Sequence, residues 1–327
     1  MALVGNAFVG VIKLVAFLLS GSGAMLSEAI HSGADTGNQL LLFVGLKRGE
    51  RKPDDRFPYG YGGERFVFGM LSAAGIFFIG CGITVYHGVK SLLAPQVPQL
   101  SMVTFVVLAI AFVVEGTVLL YAIGSVAAHR GKVPFFRFVR EGADPATVAI
   151  LLEDGAAVFG LLVAAIGIAV TYATGSPLWD ALGSIVVGAV LGLVALYLVR
   201  QNRELLLGRA VPEGLEERVI EILQRQPSLQ SVRDVKTRQL TPDTFTLKAE
   251  ITFSIDHIAT QLGRLLPPCR LELEGPPREA GLRRLAVLAT ELIANEIAAI
   301  ERAVRAEIPQ ARHIDLEVAN MKERRAG

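Results

Sequence analysis

Six stretches of this 327-residue chain are each long and apolar enough to cross a hydrocarbon core, which leaves little freedom in how its first two-thirds can fold. A bilayer interior offers no water to bond backbone N–H and C=O groups, so a crossing segment of ~20 residues is expected to be helical. The stretches run from about Ala2 to Leu19, Ala24 to Leu46, Phe66 to Leu92, Met102 to Ala127, Ala146 to Tyr172 and Leu178 to Val199. The 52% of residues that are hydrophobic are concentrated before Arg200, so the chain reads as a membrane protein with a soluble tail. The first run begins almost at Met1 with no basic leader or small-residue cleavage site, as a retained membrane helix would. The lack of an N-terminal extension points to a prokaryotic plasma membrane.

Orientation follows from loop charge. The connection after the second run carries Lys47, Arg48, Arg51, Lys52, Arg56 and Arg65, and the one after the fourth carries Arg130, Lys132, Arg137 and Arg140. Turns at Gly21-Ser22-Gly23, Ala94-Pro95-Gln96 and Thr174-Gly175-Ser176-Pro177 hold no Lys or Arg. By the positive-inside rule both termini and the basic loops are cytoplasmic. The division expected is a transport domain over residues 1–200 and a cytosolic domain over 201–327.

Past Arg200 the hydrophobic period changes. Pro212 to Gln224 has a helical stripe of Leu215, Val219 and Ile222; Phe245, Leu247, Ala249, Ile251 and Phe253 alternate strictly, as in a half-buried strand. A strand over Val232 to Leu240 would pair with it across Thr241-Pro242-Asp243. Leu285 to Ile308 reads as a long amphipathic helix, and Ile314, Leu316 and Val318 as the inward face of a last strand. The segment from Asp256 to Ala280, with Pro267-Pro268 and Pro276-Pro277, is expected to be irregular. The resulting αββαβ order suits a small sheet with helices on one face.

Ionisable residues inside the apolar runs are costly and are the first place to look for function. His31 and Asp35 sit four apart in the second run, on one helical face, with the spacing of two metal ligands. Glu115 lies mid-way along the fourth run and Asp154 nine or so residues into the fifth. Carboxylates at such depth need a cavity or a cation, and one divalent metal shared by His31, Asp35 and Asp154, with Glu115 as a further candidate ligand, resolves the cost. Glu153 points about 100° away from Asp154 around its helix, so it is expected to stay out of that site and to serve as counter-ion to Lys13. Asn6, Asn38 and Gln39 read as interhelical hydrogen-bonding groups, and Gly188 with Gly192 as a close-packing pair. Cys81 and Cys269 have no CxxC spacing and suggest neither disulfide nor thiolate site. Nothing points to nucleic acid.

On these residues the chain resembles the cation diffusion facilitator family, proton-coupled exporters of zinc and related metals. The resemblance rests on six spans, the HxxxD of His31 and Asp35, Pro58-Tyr59-Gly60, and Leu152-Glu153-Asp154-Gly155-Ala156-Ala157. It is closer to the zinc transporter nine branch through His31-Ser32, Asp35-Thr36, Asn38-Gln39, Tyr86-His87-Gly88, Glu115-Gly116, Asp144-Pro145 and the ending Arg312 to Glu317. In one respect the chain departs from the family: the fifth helix usually offers a second ligand four residues before its aspartate, and here that position is Ile150.

The resemblance implies a ferredoxin-like αββαβ tail, a two-fold homodimer with tails packed together, no prosthetic group, and divalent metal, protons and lipid as partners. Imidazole and carboxylate bind metal only when deprotonated, so protons and zinc would compete for one site. Mixed nitrogen and oxygen ligation suits zinc, cobalt or nickel. A cytosolic metal site at His313, Asp315 and His257 competes with the simpler reading of a solvated strand face. A membrane metalloenzyme is disfavoured because a signature such as HExxH is missing. A protein whose helices only anchor the tail would bury Asp35, Glu115 and Asp154 to no purpose.

Overall fold

The computed structural model describes residues 2–20, 23–94, 102–131, 133–141, 144–265 and 278–319, and leaves out the side chains of residues 2–6, 23–31 and 102–105 among others. Cys269 and the Pro267-Pro268 and Pro276-Pro277 pairs lie outside the described residues, as do Lys132 and the side chains of Asn6 and His31. The chain forms two compact units, Met1–Leu207 and Gly208–Gly327.

The first unit is helical. It comprises α1 (Ala2–Ser20), α2 (Gly23–Gly49), α3 (Glu64–Gly75), a π-helical turn (Ile76–Cys81), α4 (Gly82–Leu93), α5 (Met102–His129), α6 (Phe135–Glu141), α7 (Pro145–Thr174) and α8 (Leu178–Leu207). Among the described residues four helical segments are long and apolar enough to cross a membrane: Glu64–Leu93, Leu108–His129, Pro145–Thr171 and Leu178–Leu207. Helix α7 starts where its sequence says it should. Asp144 caps it, accepting from the Thr147 N–H at 3.2 Å, Pro145 occupies the first helical position, and Gly175 ends it at φ 66°.

Glycine decides how α4 meets α8. A Cβ on Gly88 would lie 2.7 Å from Ile185 Cγ1 and 3.1 Å from the Ile185 nitrogen, and one on Gly188 would lie 2.6 Å from Val85 Cγ2. Gly192 admits the Cys81 sulfur in the same way, since a Cβ there would lie 3.1 Å from Sγ. Small residues let these backbones approach, which is how helices associate where no hydrophobic drive exists between them.

Two features of this unit depart from the expected pattern. The basic connection between α5 and α7 contains α6, seven residues long, whose Phe135 and Phe138 pack on Ala122, Val126 and Leu151. Helix α8 continues past Val199 to Leu207 because Gln201, Asn202 and Leu205 still find buried positions.

The second unit runs α9 (Glu213–Gln224), β1 (Leu229–Thr241), β2 (Thr244–Phe253), α10 (Ile255–Leu265), α11 (Arg278–Glu307) and β3 (Ala311–Val318). Strand β2 is central: it pairs antiparallel with β1, Val232 opposite Ile251, and parallel with β3, Leu247 beside Ile314. Its Phe245, Leu247, Ala249 and Ile251 meet Val219, Ile222 and Leu223 of α9 and Ile300 and Val304 of α11 in one core. The segment after β2 is not irregular throughout: residues 255–265 form α10, which opens with Ser254 Oγ accepting from the His257 N–H at 3.3 Å, well before the first proline. Val318 is 53% exposed rather than inward, since it closes the last strand beyond the reach of the core.

Candidate metal centre

Four carboxylates and one ammonium meet among α1, α2, α5 and α7. Asp35, Glu115, Glu153 and Asp154 are all buried, and Lys13 is only 1% exposed. Because α1 packs against both α2 and α5, Lys13 Nζ reaches Ser32 Oγ at 3.0 Å and Glu115 Oε1 at 3.2 Å. The counter-ion of Lys13 is therefore Glu115, not Glu153 as the sequence suggests, because Glu153 stands on α7 and is turned toward α2.

Glu153 instead accepts a hydrogen bond at 3.2 Å from Asn38 Nδ2 on α2. A separation of about 100° from Asp154 thus does not keep Glu153 from meeting α2, the helix that carries Asp35. Asp35 acts electrostatically on Glu153 and Asp154, and Glu115 acts on Asp154.

Asn38 has a companion that sequence reasoning missed. A Cβ on Gly75 would sit 2.5 Å from Asn38 Oδ1, so only glycine there admits the amide that orients Glu153. Gln39, on the same helical face as Asp35, buries an amide whose Oε1 and Nε2 have no hydrogen-bond partner among the described residues; Glu153 Oε2 and Asp154 Oδ2 are likewise buried without one. Ile150, where a second α7 ligand might have stood, packs against the apolar cluster of Leu42, Ala73, Ile76 and Leu198.

His31 is on α2 one turn from Asp35, with its side chain outside the described set. Among the described residues no three His, Cys, Asp or Glu side chains form a ready-made metal cage. The three residues of the suggested cytosolic site are not brought together. The β3 register puts His313 beside Thr246 and Asp315 beside Lys248, near the start of β2, while His257 follows the far end of that strand and faces Glu296 at 3.5 Å. Seven strand residues separate the two ends, roughly 23 Å.

Residues 1–207 match the family described as the cation efflux transmembrane domain. The human proton-coupled zinc antiporter SLC30A9, mitochondrial, is 35% identical over 94% of this chain and 55% of its own length. Metal tolerance protein C4 of Arabidopsis thaliana is 35% identical over 96% of this chain and 71% of its own. Magnetosome protein MamB of Magnetospira sp. is 28% identical over 57% of this chain and 58% of its own length. The chain spans about half the length of the SLC30A9 relatives it matches.

Proposed function

The chain belongs to the cation efflux family, and on that premise we propose that it is a membrane antiporter exchanging a divalent cation, zinc, for protons. It is a transporter rather than an enzyme. Two relatives that cover nearly the whole chain are named as a zinc antiporter and a metal tolerance protein, which supports zinc as the cargo. The observation that carries the reading is that Asp35 on α2, Glu115 on α5 and Asp154 on α7 are all buried, with Asp35 and Glu115 both acting electrostatically on Asp154. Carboxylates buried together in a membrane interior call for protons or a metal cation to offset their charge.

In this reading His31, Asp35 and Asp154 hold the metal, leaving a further position for Glu115 or another carboxylate of the same layer. The ligands bind zinc deprotonated and take up protons when it leaves, so the two cargoes exclude each other. A conformational swing then presents the site to opposite sides in turn. His31 is the first candidate proton carrier because imidazole titrates nearest neutrality.

The proposed transmembrane arrangement has six spans, α1, α2, the α3–α4 helix, α5, α7 and α8, within residues 1–200. Both termini then share the side of the basic connections. Residues 201–327 are read as a cytosolic ferredoxin-like domain that pairs two chains in a homodimer, supported by a three-stranded sheet with helices packed on its core. The test is zinc flux into vesicles carrying the purified protein. Flux that rises with an outward proton gradient and drops when an ionophore collapses it supports antiport; flux indifferent to the gradient contradicts it.

A further inference from the structure

The connection between α5 and α7 does not stand out from the ends of those helices. Phe135, Phe138 and Val139 of α6 pack on Ala122 and Val126 of α5 and on Leu151 of α7. At 1.5 Å per residue, Val126 and Ala122 lie about 5 and 10 Å inside the His129 end of α5, and Leu151 about 9 Å inside the Pro145 end of α7. Both helices hold a stretch long and apolar enough to cross a membrane, so α6 is folded back to the depth at which hydrocarbon gives way to headgroups.

The outer side of α6 is built unlike a water-facing surface. Phe136 is 86% exposed, more than any other large apolar side chain among the described residues, and its ring meets that of Phe135 edge-on at 5.7 Å. Beside it around the helix come Arg140, one turn on, and then Arg137, both exposed. From His129 to Glu141 the chain carries Arg130, Lys132, Arg137 and Arg140 against Glu141 as the one acid. An exposed aromatic ring flanked by guanidinium groups suits neither water nor hydrocarbon alone. It suits their boundary, with the ring among the first acyl carbons and the arginines on the phosphates.

From this placement we infer that α6 is a binding element for anionic phospholipid headgroups, with Phe136 inserted at the acyl boundary and Arg137 and Arg140 as the phosphate contacts. Charge selects the occupant. A second copy would set the same cationic face against itself, and a zwitterionic headgroup brings no net charge to meet two arginines. The inference needs α5 and α7 as membrane spans and is independent of the ion carried.

The test uses the full chain and reads depth and lipid choice separately. The chain has one tryptophan, Trp179, so Phe136→Trp combined with Trp179→Phe puts a single indole at the inferred depth in a bilayer nanodisc. Lipids brominated in the upper acyl chain should quench it strongly and aqueous iodide weakly. Lipid choice is the preference for phosphatidylglycerol over phosphatidylcholine among lipids retained by the purified protein, read by native mass spectrometry. One basic side chain at an anionic surface is worth about fivefold. Arg137→Gln with Arg140→Gln is therefore expected to cut the preference at least about fivefold. The same loss of charge in the second unit, Arg218→Gln with Arg312→Gln, should leave it unchanged. An indole quenched by iodide and not by bromolipid would place α6 in water, and one quenched by neither would place it under protein; both overturn the inference. So would a wild type that retains the two lipids equally, or a preference that survives loss of Arg137 and Arg140.

Discussion

Lys13 Nζ lies 3.2 Å from Glu115 Oε1, and the two side chains are 1% and 7% exposed, so an ion pair between α1 and α5 is sealed inside the helical unit. Removing one partner leaves the other's buried charge without its ion pair, and breaking a buried pair typically costs about 3–5 kcal/mol. Lys13→Met should therefore lower thermal stability in detergent sharply, and Lys13→Met with Glu115→Leu should recover most of it. A double variant as unstable as the single one would show that the pair is not what matters at these positions.

The α4–α8 contact gives a prediction with its own control. An alanine at Gly88 must push on the Ile185 backbone, and inserting atoms into a full interface costs about 1–3 kcal/mol. At Gly124 on α5 an added Cβ meets nothing within 4 Å. Thermal unfolding should show Gly88→Ala destabilised and Gly124→Ala unchanged or improved.

The connection from α2 to α3 is built on one exposed carboxylate. Asp54 accepts from Tyr61 Oη at 2.6 Å, from the Phe57 N–H at 2.9 Å and from the Arg56 N–H at 3.0 Å, while Arg51 lies over the Tyr61 ring at 4.6 Å. The tyrosine hydrogen bond, helped by the backbone donors, holds the Asp54 carboxyl below the usual carboxylate range and pushes the Tyr61 phenol up. A depressed carboxylate contributes above its ordinary range and ceases to as pH falls through the lowered value. Order in residues 51–61 is thus expected to persist at neutral pH and to be lost only in strong acid. A difference titration of phenolate absorbance should show one tyrosine returning to ordinary behaviour in Asp54→Asn.

Leu247 is fully buried at the centre of β2, between α9 and α11. Leu247→Ala should cost about 2–5 kcal/mol, read as earlier hydrogen exchange in β1–β3 of the full chain. Exchange unchanged in those strands would place the core elsewhere.

Much of this is legible in the sequence: the turn at residues 174–177 marks the end of α7, and the depth of Asp35 and Asp154 can be counted along their runs. What the chain could not reveal is which helices touch. Sequence alone pairs Lys13 with Glu153 because both are buried ions of unknown neighbours, and only the packing of α1 on α5 selects Glu115. A helical wheel separates Glu153 from Asp154 by about 100° but does not say which helix each meets, and the packing brings Glu153 to Asn38 of α2. Prolines further along make the segment after β2 look irregular, whereas Ile255, Ile258 and Leu262 carry their own helical period and form α10.

Coupling of zinc and proton movement at Asp35 and Asp154 is the central claim, and the pH inside protein-bearing vesicles tests it most directly. On adding zinc outside, wild-type vesicles should turn alkaline inside as protons leave against entering metal, and Asp35→Asn and Asp154→Asn vesicles should show neither zinc entry nor the pH change. Wild-type zinc entry with matching alkalinisation in both variants would contradict the account.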